Sequence, residues 1–419
     1  MASSALDRSP KPEASPSPEQ DRDMRVKAAS TLVYSPEGDA LVACNFLTKQ
    51  VFHCEVETLR LLSDLSEWTD AADLAQRYEL SVPETRDLLQ RLIDVSALVR
   101  ADSAEALRED DFAAHWAWSV PTALMHFTLE DRPFMALEEA EDRQVEKASL
   151  GNVPELARTN RDLAEVVELP DPFETSALLR FMAGRRTVRG ATAAPITLSQ
   201  LSETLFAGLG ILGETTNRAG RLPLKLTPSG GARNPYEAYV FAYRVEGLEP
   251  GIYHYSASEH TLGRVPSDAL PSGGEVIGGQ DWADSMACSI VLCAHFERTM
   301  WKYDDPNAYR VVLIEAGHVG QNIMLAATQH GLTACPSAAL SHETIRSAIG
   351  LEGVTISPVY ALALGVPDAE PEISRFPRWK NALASTGQND PAAPAGTESS
   401  DELRLLLAMA EAEIENFKR

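Results

Sequence analysis

Between residues 176 and 385 the chain alternates apolar runs of strand length with two segments of helix length. The runs are "AYVFAYRV", "CSIVLCAHF" and "SPVYALALGV"; the helical segments are "LSQLSETLFAGLG" and the long stretch after Tyr309. Apolar runs of this length read as strands, and the longer patterned segments between them read as helices. This alternation predicts a domain built of both strands and helices around one core.

The chain's 419 residues leave room for more than that domain. Residues 1–24 are rich in Ser, Pro and charge and read as a disordered tail. Over 25–103, three β-rich runs ("TLVYS", "ALVACNF", "QVFHCEV") precede three helical patterns, a winged-helix-like module. Its third helix opens on Ser81-Val82-Pro83-Glu84, a capping box with proline in the first turn. Residues 104–175, acidic and weakly periodic, read as a helical connector. Residues 386–419 read as a linker followed by an amphipathic helix.

Charge narrows the function. The net charge of -24 opposes non-specific binding to nucleic acid or an anionic membrane. Between Arg25 and Asp102 there are 8 Lys+Arg against 13 Asp+Glu, and "PETRDLLQRL" carries no basic stripe, so the module reads as a peptide-binding or structural element rather than a DNA reader. No run reaches the length of a membrane span. The start has no apolar segment of secretory type, and the five cysteines show no CxxC spacing. A cytoplasmic protein with reduced thiols and no metal site is expected.

Four stretches could carry chemistry. "GRRTVRG" sets Arg185, Arg186, Thr187 and Arg189 together, as a phosphate and carbonyl clamp or as a solvated basic loop. "TPSGGARNPYEAYV" places Pro228, Ser229, Gly230 and Gly231 in a loop free of bulky side chains, through which backbone could approach a flat or anionic ligand. In the helix after Tyr309, the spacing of Glu315, His318 and Asn322 puts them along one face, and Gly317 with Gly320 offers a small-residue face for close packing or dimerisation. "MWKYDDPNAYR" puts Lys302 beside Tyr303 just ahead of that helix, either as a surface loop or as a proton-transfer pair.

Taken in order, "RRTVR", "LSQLSETLFAGLGI", "TPSGGARNPYEAYV", "VEGLEPGIYHYS", "KYDDPNAYRVVLIEAGHVGQNIMLAATQHGLTACP" and "PVYALALGVP" resemble the nitroreductase superfamily of FMN proteins over about 200 residues. Within it they resemble the SagB-type peptide dehydrogenases, the azoline oxidases of ribosomal peptide pathways. The resemblance implies an α+β, dimeric nitroreductase-like domain, its central sheet containing antiparallel strands and flanked by helices, with FMN at the subunit interface. Arg185, Thr187 and Arg189, with Arg186 between them, would hold the phosphate and the pyrimidine side of the ring. Pro228, Ser229 and Gly230 would reach the flavin from the neighbouring subunit, and Cys335, Pro336 and Ser337 would pass over the ring. Arg375 or Arg378 would add a second phosphate ligand, and Lys302 with Tyr303 would be catalytic. Lys225 stands where an arginine is common in the family. The N-terminal module looks like the precursor-recognition module of such enzymes.

The function this implies is FMN-dependent oxidation of a ribosomally made precursor peptide, azoline to azole, by a homodimer with a cyclodehydratase as a further partner. Two alternatives are an NAD(P)H-fed reductase of dehydroamino acids, quinones or nitro compounds, and a non-catalytic peptide-binding scaffold. A free phenol is a weak base near neutral pH, and an adjacent ammonium favours its phenolate form; that is the chemical sense of a Lys-Tyr pair.

Overall fold

The computed structural model describes residues 24–38, 40–151, 166–171, 173, 176–218 and 220–369. The tail before Met24, the sequence from 386 onward, and Arg375 and Arg378 lie outside the described residues. Two compact units are present, one holding the described residues up to 151 and from 186 on, the other those from 166 to 185.

In the larger unit the three N-terminal runs form an antiparallel meander, Leu32–Glu37, Ala40–Asn45 and Gln50–Cys54. A second small sheet was not anticipated. In it Arg25–Ala28 lies between the two-residue strand Thr69–Asp70 and the edge strand Leu98–Arg100. Helices Val56–Asp64, Ala71–Arg77 and Val82–Asp94 close on them over Val26, Leu65, Leu74, Leu89 and Leu98. The Ser81–Glu84 capping box is formed, which satisfies two otherwise orphaned N–H groups at the helix start.

The connector consists of α1 (Ala104–His115), α2 (Val120–Leu129) and the solvated α3 (Leu137–Ser149). Next come α4 (Leu198–Leu209), a hairpin of Ile211–Asn217 with Gly220–Lys225, β1 (Tyr236–Ala242), β2 (Gly251–Ser256), β3 (Thr261–Arg264) and β4 (Cys288–His295). The short helix Phe296–Met300 leads to α5 (Ala308–Gln329), β5 (Thr333–Ser337), α6 (His342–Ile349) and β6 (Ile356–Gly365).

The six strands form one sheet in the order β3-β2-β1-β4-β6-β5, with every pairing antiparallel. Side chains on alternate positions of β4 serve two cores. Ile290, Leu292 and Ala294 pack towards α4 and α5, while Val291 and Cys293 pack with Ile345 of α6. That two-sided burial is why β4 reads as a continuous apolar run rather than an alternating one.

The inner face of α5 carries Val312, Ala316, Val319, Ile323 and Ala327 at helical spacing. Gly208 lets α4 close on it, since a Cβ there would collide with Ile323 and Val319. A Schellman arrangement ends α5: Gly331, at φ 66, donates to Thr328 O, and Leu332 donates to Ala327 O. The small-residue face expected from Gly317 and Gly320 does not exist as one surface. Gly320 is buried against Tyr360, while Gly317 is exposed with open space where a side chain would begin.

Connector and module share the α5 side of the core through aromatic rings. Trp116 packs on Phe296, Trp118 on Tyr309, and Phe46 of the module on Phe127. Polar bonds stitch the same boundary. The buried Glu109 of α1 accepts from Ser30 Oγ at 2.9 Å and from Thr31 Oγ1 at 3.0 Å, and Asp111 accepts the Val354 N–H at 2.9 Å.

Candidate active site

The Lys302–Tyr303 pair sits just past the short helix Phe296–Met300. Both backbone N–H groups donate to Thr299 O, at 3.1 and 3.0 Å, which fixes the turn. Lys302 is exposed and Tyr303 half-buried. Lys302 Nζ donates to Gly231 O at 3.2 Å and lies 5.4 Å from the centroid of the Tyr303 ring. Gly231 adopts φ 63, and a Cβ there would run into both the Tyr303 hydroxyl and Lys302 Nζ. The two polar tips therefore converge on one point of the glycine loop, and the two sequence motifs are brought together.

The loop's shape is fixed from beneath. Glu315 of α5, 5% exposed, accepts the Gly230 N–H at 3.2 Å and is hydrogen-bonded by the Ser229 side chain. Burial pushes the Glu315 carboxyl up, against the opposing pull of Ser229, Gly230 and nearby Lys225. Ser229 Oγ also accepts the Asn234 N–H at 2.8 Å. Asn322 Nδ2 donates to Thr227 Oγ1 at 3.0 Å, and Thr227 in turn donates to Gly208 O at 2.7 Å. Glu315 and Asn322 thus act together under the loop. His318 is exposed and does not share their face, because three residues advance a helix by about 300° and leave a position to one side of its starting row.

The arginine-rich stretch engages a different place. Val188 N–H donates to Thr333 Oγ1 at 3.0 Å, and both Thr333 Oγ1 (3.0 Å) and Cys335 Sγ (2.7 Å) donate to Val188 O. Arg186 and Thr187 are half-buried and Arg189 is exposed, in the segment that runs beside the strand bearing Pro336 and Ser337. Arg185 belongs to the smaller unit, where its N–H donates to Met182 O at 3.1 Å.

These two groups lie at opposite ends of the central sheet. The Arg186–Arg189 segment leads to Ala191, which bridges Pro367 just beyond the last residue of β6. The Lys302–Tyr303 turn follows Phe296, whose N–H donates to Thr355 O just before the first residue of β6. Ten residues of strand separate the two ends, about 33 Å. Among the described residues of the larger unit, those expected around a single flavin are not brought together within one chain.

Sequence reading missed several residues that shape the site. Trp118 of the connector donates its indole N–H to Tyr303 O at 3.0 Å. Lys225, noted only as a departure, is half-buried behind the glycine loop; burial lowers its ammonium's pKa. Farther off, a cavity of about 750 Å³ opens where the edge strand Leu98–Arg100 and the end of helix Val82–Asp94 face α1 and α6. Lys49, in its wall, donates to Glu130 O at 2.9 Å and pairs with Asp131 at 3.2 Å.

Residues 182–366 match the Nitroreductase family. A protein of Methanocaldococcus jannaschii named as a nitroreductase is 32% identical over 187 residues, 44% of this chain and 90% of that one. The trifolitoxin-processing protein TfxB of Rhizobium leguminosarum bv. trifolii is 31% identical over 134 residues, 30% of this chain and 36% of that one. The microcin B17-processing protein McbC of Escherichia coli is 28% identical over 145 residues, 33% of this chain and 53% of that one. The match thus spans about a third and about half of the two peptide-processing relatives. With nearly the whole of the archaeal protein covered at that identity, and with the sheet, the glycine loop and α5 all inside the matched span, the chain belongs to the nitroreductase family of oxidoreductases.

Proposed function

We propose that this chain is an FMN-dependent dehydrogenase of peptides that oxidises an azoline ring to an azole, working as a homodimer. The observation that carries the reading is the convergence of Lys302 Nζ and the Tyr303 hydroxyl on Gly231, in a loop built without side-chain bulk. Similarity to proteins named for processing trifolitoxin and microcin B17 supports a peptide as the substrate.

The donor set fits a flavin mononucleotide. Arg186, Thr187 and Arg189 offer guanidinium forks and a hydroxyl on a backbone pinned by Thr333, with Ser337 on the adjoining strand and Arg185 next in sequence. Pro228, Ser229 and Gly230 would border the ring from a second copy of the chain. Arg375 or Arg378 is proposed as a second phosphate ligand. A dimer also accounts for the separation of the two groups, since two sheets placed in opposite senses bring one end of each together. When bound, FMN would supply the two-electron acceptor, with dioxygen as the final oxidant.

The protein's own part is positioning and proton transfer. Ring oxidation removes a proton from Cα and a hydride from the adjacent ring carbon. Tyr303 Oη takes the Cα proton, and the Lys302 ammonium beside it offsets the negative charge that this oxygen carries. Trp118 and Thr299 hold the pair against the loop, and Glu315 holds the loop. The 750 Å³ cavity, with the edge strand Leu98–Arg100 in its wall, is proposed to take the leader segment of a precursor whose ring a cyclodehydratase has already closed. The test is direct: the purified chain should be yellow, with about one FMN per chain, and should remove two hydrogens from a thiazoline-bearing peptide without NAD(P)H. A colourless protein unaffected by FMN, or turnover only when NAD(P)H is supplied, would overturn it.

A further inference from the structure

A pocket of about 460 Å³ lies beside the glycine loop, at Ala232, Arg233 and Asn234. Lys225, Arg233, Asn234, Glu237, His254 and Arg298 line it. In a chain of net charge -24 this is an unusual local balance, four fixed cations against one carboxylate, the fourth being Arg221, which pairs with Glu214 at 3.3 Å. That carboxylate is already committed: Glu237 pairs with Arg298 and receives His254 Nε2 at 2.9 Å. Arg298 also donates to Asn234 O at 3.0 Å. Arg233 donates through Nε to Arg298 O at 2.6 Å, with its guanidinium 4.4 Å from the centroid of the Trp301 ring.

Two groups in the pocket lack partners. Lys225 Nζ has no hydrogen bond and no ion pair within 4.0 Å among the described residues, although it is half-buried. The carbonyl oxygen of the Asn234 side chain is buried without a donor, in a residue 8% exposed. A buried polar atom left unpaired is costly, so an unpaired donor and an unpaired acceptor on two residues lining one cavity describe the ligand that would satisfy both.

We propose that this pocket is a carboxylate subsite for the peptide substrate: Lys225 receives the carboxylate, with Arg298 and Arg233 supplying the positive field, and Asn234 Oδ1 accepts the adjacent amide N–H. The proposal rests on the peptide reading above. Burial and the like charge of Arg298 weaken the Lys225 ammonium, against the pull of Glu315 and Glu237; a bound anion would restore it. Asn234 is three residues from Gly231, at most about 11 Å of chain. The carboxylate should therefore lie within about three residues of the ring that reacts at Lys302 and Tyr303. It can come from an acidic side chain or from the peptide's C-terminus.

Three probes separate these sources. N-acetyl-Ala-Gln has only a terminal carboxylate, N-acetyl-Ala-Glu-amide only a side-chain carboxylate, and N-acetyl-Ala-Gln-amide neither. Each is titrated by calorimetry into the full, flavin-loaded chain at low salt. At least one acid should bind about tenfold more tightly than the uncharged probe, in line with a charge-assisted bond. Lys225→Met should reduce that acid to the level of the uncharged probe, and Lys225→Arg should restore it. Equal binding of all three, binding of none, or a Lys225→Met loss shared equally by all three would overturn the subsite. Oxidation of an uncharged azoline peptide is read separately and reports on the dehydrogenase proposal alone.

Discussion

The indole N–H of Trp118 donates to the carbonyl oxygen of Tyr303 at 3.0 Å across 185 residues of sequence. A connector that reads as filler thereby sets the backbone of the proposed catalytic pair. Trp118→Phe keeps much of the ring packing on Phe296 and Tyr309 but removes the bond. A loss of about 1 kcal/mol in stability is expected. A fall in kcat larger than any change in KM should accompany it, with FMN content unchanged. Wild-type kcat in this variant would show that the bond is architectural only.

Glu315 makes a pH prediction. Burial raises its carboxyl above the ordinary value, so the folded state holds this proton to higher pH than the unfolded state does. As pH rises from the ordinary carboxylate value through the raised one, the unfolded chain has already lost the proton and stability falls. Glu315→Gln keeps an acceptor for the Gly230 N–H and should flatten that limb in denaturant titrations. If the variant kept the full slope and were less stable at neutral pH, the ionised carboxylate would be a stabilising group instead.

Separation of the two site halves predicts the assembly. Light scattering should give a mass near twice 45.6 kDa. On the outer face of α5, Ile314 is 56% exposed, which makes it a position where a charge would block close approach of a second copy. Ile314→Arg should yield a monomer that has also lost FMN. A monomer that still binds FMN tightly would place the whole flavin site in one chain.

The leader reading can be tested at Arg100, exposed on the edge strand beside the large cavity. Arg100→Glu should raise KM for a full-length precursor several-fold and leave a leaderless peptide unaffected. This substitution is cleaner than deleting residues 25–103, which would strip the partners Ser30 and Thr31 from the buried Glu109. An unchanged KM would leave the module structural.

Much of this architecture could be read from sequence because two-sided burial leaves a direct trace. The run "CSIVLCAHF" contains β4, "AYVFAYRV" and "SPVYALALGV" cover most of β1 and β6, and the stretch after Tyr309 is all but the first two residues of α5. Strands without that trace escaped notice. Arg25–Ala28 is only four residues long, and the hairpin strand Gly220–Lys225 is half-exposed and carries Pro223. Site chemistry followed the same division. Lys302–Tyr303 and the glycine loop are local motifs and were visible. The Trp118 bond and the Lys225 pocket exist only through tertiary contact, and no spacing encodes them. Gly317 and Gly320 looked like one face because both are small, but three residues turn a helix by about 300°, and only Gly320 faces Tyr360.

Turnover of a thiazoline peptide by Tyr303→Phe tests whether Lys302 and Tyr303 perform proton transfer at the glycine loop. The variant should keep its fold and FMN and lose about 10²–10⁴-fold in kcat. Lys302→Ala should fall comparably and the double variant little further, because the two act as one unit. Any reduction of a quinone by NAD(P)H in the same preparations should barely change, since it needs no Cα base. Dehydrogenation by Tyr303→Phe at the wild-type rate would contradict the account and leave the pair an ordinary surface turn.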